Sequence, residues 1–282
     1  MVKSFGIIGG DQRQAELARL LETDHAEVRT YGLREWSAPG AGSLERAAMA
    51  DVILLPLPLC GGNGGLNCKE ASLKTGELFC CLNPRQRIFA GRIGEQQRLE
   101  AERYGLKLED YFCREELIVA NAAATAEAAI QVAMEQLDET LLGMECLVLG
   151  FGRIGKLLCH RLAGMGAKVT ATARKPGDLS WIRAYGFCAE DTWKLDGKLG
   201  GFGLVFNTVP VPVLDAALLS QLKPECLCID LASRQGIDLA AAEGLGLPNL
   251  WATGLPGRMV PRTAARVIRD TIYHMLSEGD PE

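Results

Sequence analysis

The sequence predicts an α/β protein, and three observations predict it. Short apolar runs alternate with segments of helical periodicity along the whole chain. One apolar run ends in "GFGRIG", with Gly150, Gly152 and Gly155 spaced as a phosphate-cradling turn between a strand and a helix. A further apolar run, Lys168–Ala173, follows at the distance a β-α-β unit requires.

Taken in order, the first part holds expected strands at Ser4–Ile8, Glu27–Tyr31, Val52–Leu55 and Glu77–Leu82, with a fifth near Lys107–Asp110. Helices are expected at Gln12–Glu22, Ser43–Met49 and Arg92–Tyr104. "CGGNGGLNC" (Cys60 to Cys68) reads as a loop whose glycines either let backbone approach a ligand or simply make a loose turn. "TAEAAIQVAMEQLDETLL" then reads as one helix capped by Thr125, with Ile130, Met134, Leu137 and Leu141 as its apolar stripe. Strands follow at Cys146–Leu149, Lys168–Ala173, near Phe187, and at Leu204–Asn207, Leu227–Asp230 and Asn249–Ala252. The last helix runs from Arg262 to about Ser277, with Val267, Ile268, Ile272 and Met275 or Leu276 on one side, and the tail beyond it is expected to fray. The expected organisation is an N-terminal Rossmann-like or flavodoxin-like domain (1–124), a connecting helix (125–142) and a nucleotide-binding domain (143–261), with 262–282 packing back on the first.

Composition narrows the function. A net charge of -5 and the lack of a lysine-rich block argue against nucleic-acid and membrane surfaces. The N-terminal "MVKSFGIIGG" reads as a first strand rather than a signal peptide, and the most apolar stretch, Val52 to Cys60, is too short to span a bilayer, so a cytoplasmic protein is expected. None of the ten cysteines stands in C-x-x-C spacing, so they read as reduced packing residues and no metal is expected.

The glycine turn assigns roles. Gly150 turns the chain, Gly152 admits a pyrophosphate, and Gly155 lets helix pack on strand, with Phe151, Arg153 and Ile154 between them. No acid occurs between Gly150 and Arg174, where an NAD site would place one for the ribose; the strand ends instead in Thr172, Ala173, Arg174 and Lys175. Two basic residues there suit an extra phosphate, which favours NADP over NAD; the alternative is that they are solvated loop charges. "GIIGGDQRQ" lacks the third glycine and reads as a degenerate relative, whose Asp11, Arg13 and Gln14 either face a ligand or merely cap a helix.

Ligands of such sheets lie beyond the C-terminal strand ends. Candidates there are Asn207, Thr208, Val209 and Pro210; Asp230, Leu231, Ala232, Ser233 and Arg234; and Leu255, Pro256, Gly257 and Arg258. None of the three histidines (His25, His160, His274) falls at one of these ends, so hydride transfer that needs little acid–base help fits best.

Together "GGDQRQ", "NAAATAEAAI", "VLGFGRIG", "TARK", "FNTVP", "IDLASRQGIDL" and "GLPGRMVPRTA" resemble, in order along nearly the whole chain, the family of dipicolinate synthase A subunits. The resemblance implies two Rossmann-like domains with parallel sheets around a cleft, similar to 2-hydroxy-acid dehydrogenases. It implies oxidation of 2,3-dihydrodipicolinate to dipicolinate with NADP during sporulation, beside the flavoprotein-like B subunit of dipicolinate synthase; a homo-oligomer is also compatible with it. Two features depart from the family pattern: Gln235–Gly236 stands where P-G-G is usual, and the glycine-rich Cys60–Cys68 loop replaces a Ser/Thr-rich one. For a substrate with two carboxylates, Arg234 is the first choice of ligand, with Arg258, Arg262 and Arg13 weaker, and Ser233, Asn207 and Thr208 are expected to orient the reacting rings. Another NADP-dependent dehydrogenase of a small carboxylate, or a nucleotide sensor without chemistry, would use the same turn.

Overall fold

The computed structural model describes residues 4–62 and 64–278. It divides into two compact units, Met1–Asn121 with Pro256–Glu282, and Ala122–Leu255.

In the first unit, β1 (Ser4–Ile8), α1 (Gln12–Thr23), β2 (Glu27–Tyr31), α2 (Leu44–Ala48), β3 (Val52–Leu54), α3 (Thr75–Cys80), β4 (Arg87–Ala90), α4 (Glu95–Arg103) and β5 (Leu108–Asp110) follow one another. The strands form an all-parallel sheet of order β2-β1-β3-β4-β5, the flavodoxin-like order. Side-chain alternation sends Ile7, Leu54 and Phe89 to one face and Ile8, Ile53 and Ile88 to the other, and both faces are buried.

The helix α5 (Glu115–Gln136) follows, and the boundary between units falls within it. The second unit continues with β6 (Glu145–Leu149), α6 (Arg153–Gly164), β7 (Lys168–Ala173), α7 (Pro176–Ala184), β8 (Cys188–Asp191), β9 (Leu204–Asn207), α8 (Ala216–Leu219), β10 (Leu227–Asp230), α9 (Leu239–Gly244) and β11 (Asn249–Trp251). Its sheet is also all parallel, in the order β11-β10-β9-β6-β7-β8, which is the Rossmann order with the reversal between β6 and β9. The chain ends in α10 (Leu255–Met259) and α11 (Pro261–Glu278); α11 buries Ile268, Ile272, Met275 and Leu276 against α1 in the first unit.

Three expectations are corrected. Glu77–Leu82 is not a strand but lies largely in α3: Thr75, Leu78 and Phe79 are buried at helical spacing, and Glu77 accepts from the Lys74 amide at 2.9 Å in the first turn. The strand that the sequence hides is β4, in which Ile88, Phe89 and Ala90 follow the charged Arg87 as only a three-residue apolar stretch. The long helix runs Glu115–Gln136, so Thr125 is a buried mid-helix residue rather than a cap, and Leu137 and Leu141 lie beyond the helix rather than in its stripe. Its buried face is built from Ala126, Ala129, Ile130 and Ala133, leaving Met134 exposed. By length and composition α5 is long and apolar enough to cross a membrane; more than half of that stretch is buried within the protein. The expected fraying of the tail past Glu278 lies outside the described residues.

Candidate active site

The turn between β6 and α6 is shaped by its glycines. Gly150 has φ 95°, and a β-carbon there would press on Thr208 Oγ1 at 2.6 Å and Val209 Cγ2 at 2.8 Å. A β-carbon on Gly155 would run into the Gly150 carbonyl oxygen, so helix and turn touch backbone to backbone. Gly152 is different: a β-carbon there would meet nothing within 4 Å. Its absence serves no packing inside the protein, which is what a cradle for an approaching pyrophosphate requires. Gly152 stands at the N-cap of α6, and the first turn of a helix leaves amide donors without intrahelical acceptors.

Side chains hold the turn from beneath. The Gly150 amide donates to Thr172 Oγ1 at 3.1 Å, the Thr192 hydroxyl donates to the same oxygen at 3.0 Å, and Thr208 Oγ1 donates to the Leu149 carbonyl at 2.8 Å. Thr172, expected at the cofactor, is fully buried and supports the turn instead. Phe151 is likewise buried, with Lys156 over its ring at 5.5 Å and Tyr185 at 6.2 Å; Arg153 is exposed and Ile154 half-buried. Ala173 ends β7, and Arg174 and Lys175 stand exposed immediately after it. Among the described residues neither side chain has a hydrogen-bond or ion-pair partner, while the Lys175 carbonyl accepts from the Leu179 amide at 3.1 Å in the first turn of α7.

At the neighbouring strand ends the polar groups divide into buried supports and an exposed tip. Asp230 is fully buried and its carboxylate accepts from the amides of Ala232 (2.9 Å), Gly236 (2.7 Å) and Ile237 (2.9 Å) and from Asn207 Nδ2 (3.0 Å). Asn207 is as deeply buried; its side-chain amide also donates to the Val209 carbonyl and accepts from the Val209 amide, both at 3.0 Å. Every polar side-chain atom of Asn207 is thereby committed, so this residue, expected among the catalytic groups, shapes the two loops instead. A β-carbon on Gly236 would collide with Asn207 Nδ2, which shows how tightly the loops join. Leu231 and Ala232 are buried at the base of the loop, Thr208 and Val209 are half-buried, and Pro210, Ser233, Arg234 and Gln235 are exposed. Arg234 has no partner among the described residues.

The residues after the last strand are arranged otherwise than expected. Leu255, Pro256 and Gly257 form the buried start of α10 rather than an open turn, and Arg258 and Arg262 are exposed. Gly257 lies in the first unit, where its missing β-carbon leaves room for Arg13 Nε at 2.8 Å and Asp11 Oδ2 at 3.2 Å.

In that unit the degenerate turn is closed by its own chain. The Gly10 amide donates to the Asn67 carbonyl at 2.7 Å and the Asp11 amide to Gln14 Oε1 at 3.1 Å. The Cys60–Cys68 loop thus takes the amide that a phosphate would need. Asp11 caps α1, accepting from the Arg13 amide at 2.9 Å. Arg13 and Gln14, candidates to face a ligand, are buried instead; the Arg13 guanidinium donates to Asp11 and to the Leu57 carbonyl. Burial disfavours its charge, but the Asp11 carboxylate more than offsets this and holds the guanidinium ionised.

Two supports escape the sequence reading: Thr192, beneath Thr172, and Trp251, whose indole N–H donates to the Ala232 carbonyl at 2.9 Å. Nothing in the local sequence marks the first. The second is detectable only as an aromatic residue at the end of the last strand. Among the described residues no group of His, Cys, Asp and Glu could hold a metal ion.

Known proteins share this fold. The family model of the N-terminal domain of the dipicolinate synthase A subunit matches residues 4–112. The dipicolinate synthase A subunit of Bacillus subtilis (strain 168) is 30% identical over 99% of this chain and 97% of its own length. The crystal structure of the dipicolinate synthase A subunit from Bacillus halodurans superposes with a TM-score of 0.86 at 27% identity, covering 100% of this chain and 99% of that one. The apo-structure of D-lactate dehydrogenase from Escherichia coli, at 14% identity and TM-score 0.61 over 98% of each chain, shares the fold. With likeness in sequence end to end, and in fold to two Rossmann-like units, the chain belongs to the family of dipicolinate synthase A subunits.

Proposed function

We propose that this chain is the oxidising component of a dipicolinate synthase, cytoplasmic and active in sporulation, that converts 2,3-dihydrodipicolinate to dipicolinate with NADP and works beside the B subunit of that enzyme. The observation that carries the reading is the turn at Gly150–Gly155, where Gly150 and Gly155 are needed by the protein's own packing and Gly152, at the N-cap of α6, leaves the space before the helix open to a ligand. The residues fit a dinucleotide: an open cradle at a helix N-terminus, and two unpartnered cations after β7 with no acid between Gly150 and Arg174.

NADP bound there supplies the hydride acceptor. The amides around Gly152 hold its pyrophosphate, Arg174 and Lys175 hold the additional phosphate, and Arg234 grips a substrate carboxylate from the exposed tip of its loop. Asp230 and Asn207 keep that tip in place. Removing a hydride and a proton from the dihydropyridine leaves an aromatic ring, so the driving force lies in the substrate, and a dedicated histidine base is not required.

The test is to mix the purified chain with NADP and fresh dihydrodipicolinate, with and without the B subunit, and to follow the ultraviolet absorbance of reduced nicotinamide. A substrate-dependent rise is expected. NADP binding with no turnover under either condition would point instead to a nucleotide sensor.

A further inference from the structure

We propose that Trp251 is a positioning residue for the substrate loop and that its exposed indole face forms a flat wall at the loop that carries Arg234. This rests on the dicarboxylate reading above.

The loop leaves the sheet at Asp230 and returns at Ile237. Its base is held by the Asp230 carboxylate through the amides of Ala232, Gly236 and Ile237. These bonds secure amides at the two ends of the loop and leave the carbonyl side of the peptide leading into Ser233 unheld. That carbonyl, on Ala232, is fixed from the neighbouring strand by the Trp251 indole at 2.9 Å. The indole is brought there by register: Trp251 pairs with Asp230 across the parallel strands, and the Ala252 amide donates to the Asp230 carbonyl at 2.8 Å. The Ala232–Ser233 peptide plane therefore owes its orientation to Trp251, and Arg234 follows one residue later.

Trp251 is 43% exposed, so much of its ring stays open to a ligand. An exposed indole bonded to the loop that carries an unpartnered guanidinium matches a planar ring that carries carboxylates: the fork takes the carboxylate and the flat face takes the ring.

The experiment uses the full chain together with the B subunit. In Trp251→Phe, which keeps an aromatic ring and loses the donor, the KM for dihydrodipicolinate is expected to rise about tenfold. NADP affinity and kcat should stay within about twofold, because the loop's aim and not the cofactor site is altered. Adding dipicolinate to the wild type should quench tryptophan fluorescence. The quench should vanish in Trp251→Phe and persist in Trp181→Phe and Trp193→Phe. An unchanged KM with the quench intact in Trp251→Phe would overturn the role of Trp251 and leave the dicarboxylate reading standing. A wild type that neither binds dipicolinate nor turns over its dihydro form would remove the reading itself.

Discussion

Gly152 and Gly155 stand three residues apart and answer to different demands. Gly155→Ala drives a methyl group into the Gly150 carbonyl, so it should cost about 1–3 kcal/mol in urea unfolding as well as weakening NADP. Gly152→Ala meets open space; its stability cost should stay under about 1 kcal/mol while NADP affinity falls more than about tenfold by calorimetry. Equal effects of the two changes on folding would mean that the space at Gly152 is not reserved for a ligand. Arg174→Asp should weaken NADP roughly 100-fold and alter NAD binding far less, since an ionised hydrogen-bond partner of the additional phosphate is lost; parallel losses for both nucleotides would place that phosphate elsewhere. Asp230→Asn sets its amide nitrogen against either the Gly236 and Ile237 amides or the Ala232 amide and Asn207 Nδ2, so two buried donors then face a donor. A loss of about 1–3 kcal/mol follows, read as a lower Tm, with poorer turnover because the Arg234 loop loosens.

At the scale of the element, most strands and helices are legible because their period is long or their caps explicit. The β1, β9 and β10 strands coincide with apolar runs, β7 alternates Val169, Ala171 and Ala173 with threonines, and α1 starts where Asp11 can cap it. The failures are physical too. α3 carries Phe79 and Cys80, with Cys81 next, a strand-like composition, yet its buried positions repeat at helical spacing. α5 opens on Glu115 and Glu116, an acidic start that favours the helix dipole, but the alanine run that follows leads up to Thr125, which has the look of a beginning. α11 shows what an amphipathic stripe does: Ile268, Ile272 and Leu276 lie on the face that meets α1. Ile272→Ala should cost about 2–5 kcal/mol, whereas Met134→Lys on the exposed side of α5 should stay within about 0.5 kcal/mol. A small effect of Ile272→Ala in chemical denaturation would detach α11 from the core of the first unit.

Over the whole molecule the two units differ in their thiols. The four buried thiols, Cys146, Cys159, Cys226 and Cys228, all lie in the second unit, while Cys80, Cys81 and Cys113 of the first unit and Cys188 of the second are exposed. Alkylation of the native protein should therefore spare those four, and their labelling in rising urea should report unfolding of the second unit. Burial pushes Cys146 and Cys159 up to about 12 each. In the unfolded chain they titrate near the ordinary ~8.5. Native thiols then keep protons that unfolded ones release. The contribution to stability is complete below the unfolded value and is lost as pH climbs toward about 12. A double Cys146→Ala, Cys159→Ala variant should flatten that alkaline loss; an unchanged pH slope would assign it to other groups. The sequence by itself determined the α/β class, the glycine turn and the basic pair after β7, because each is a local pattern of neighbours within one strand-turn-helix unit. Only the tertiary structure decided that Asn207 and Asp230 are buried supports, that Asn67 closes the degenerate turn, and that Trp251 reaches Ala232. Those outcomes depend on register between strands distant in the chain, and register is settled by packing of the whole sheet rather than by any residue's neighbours.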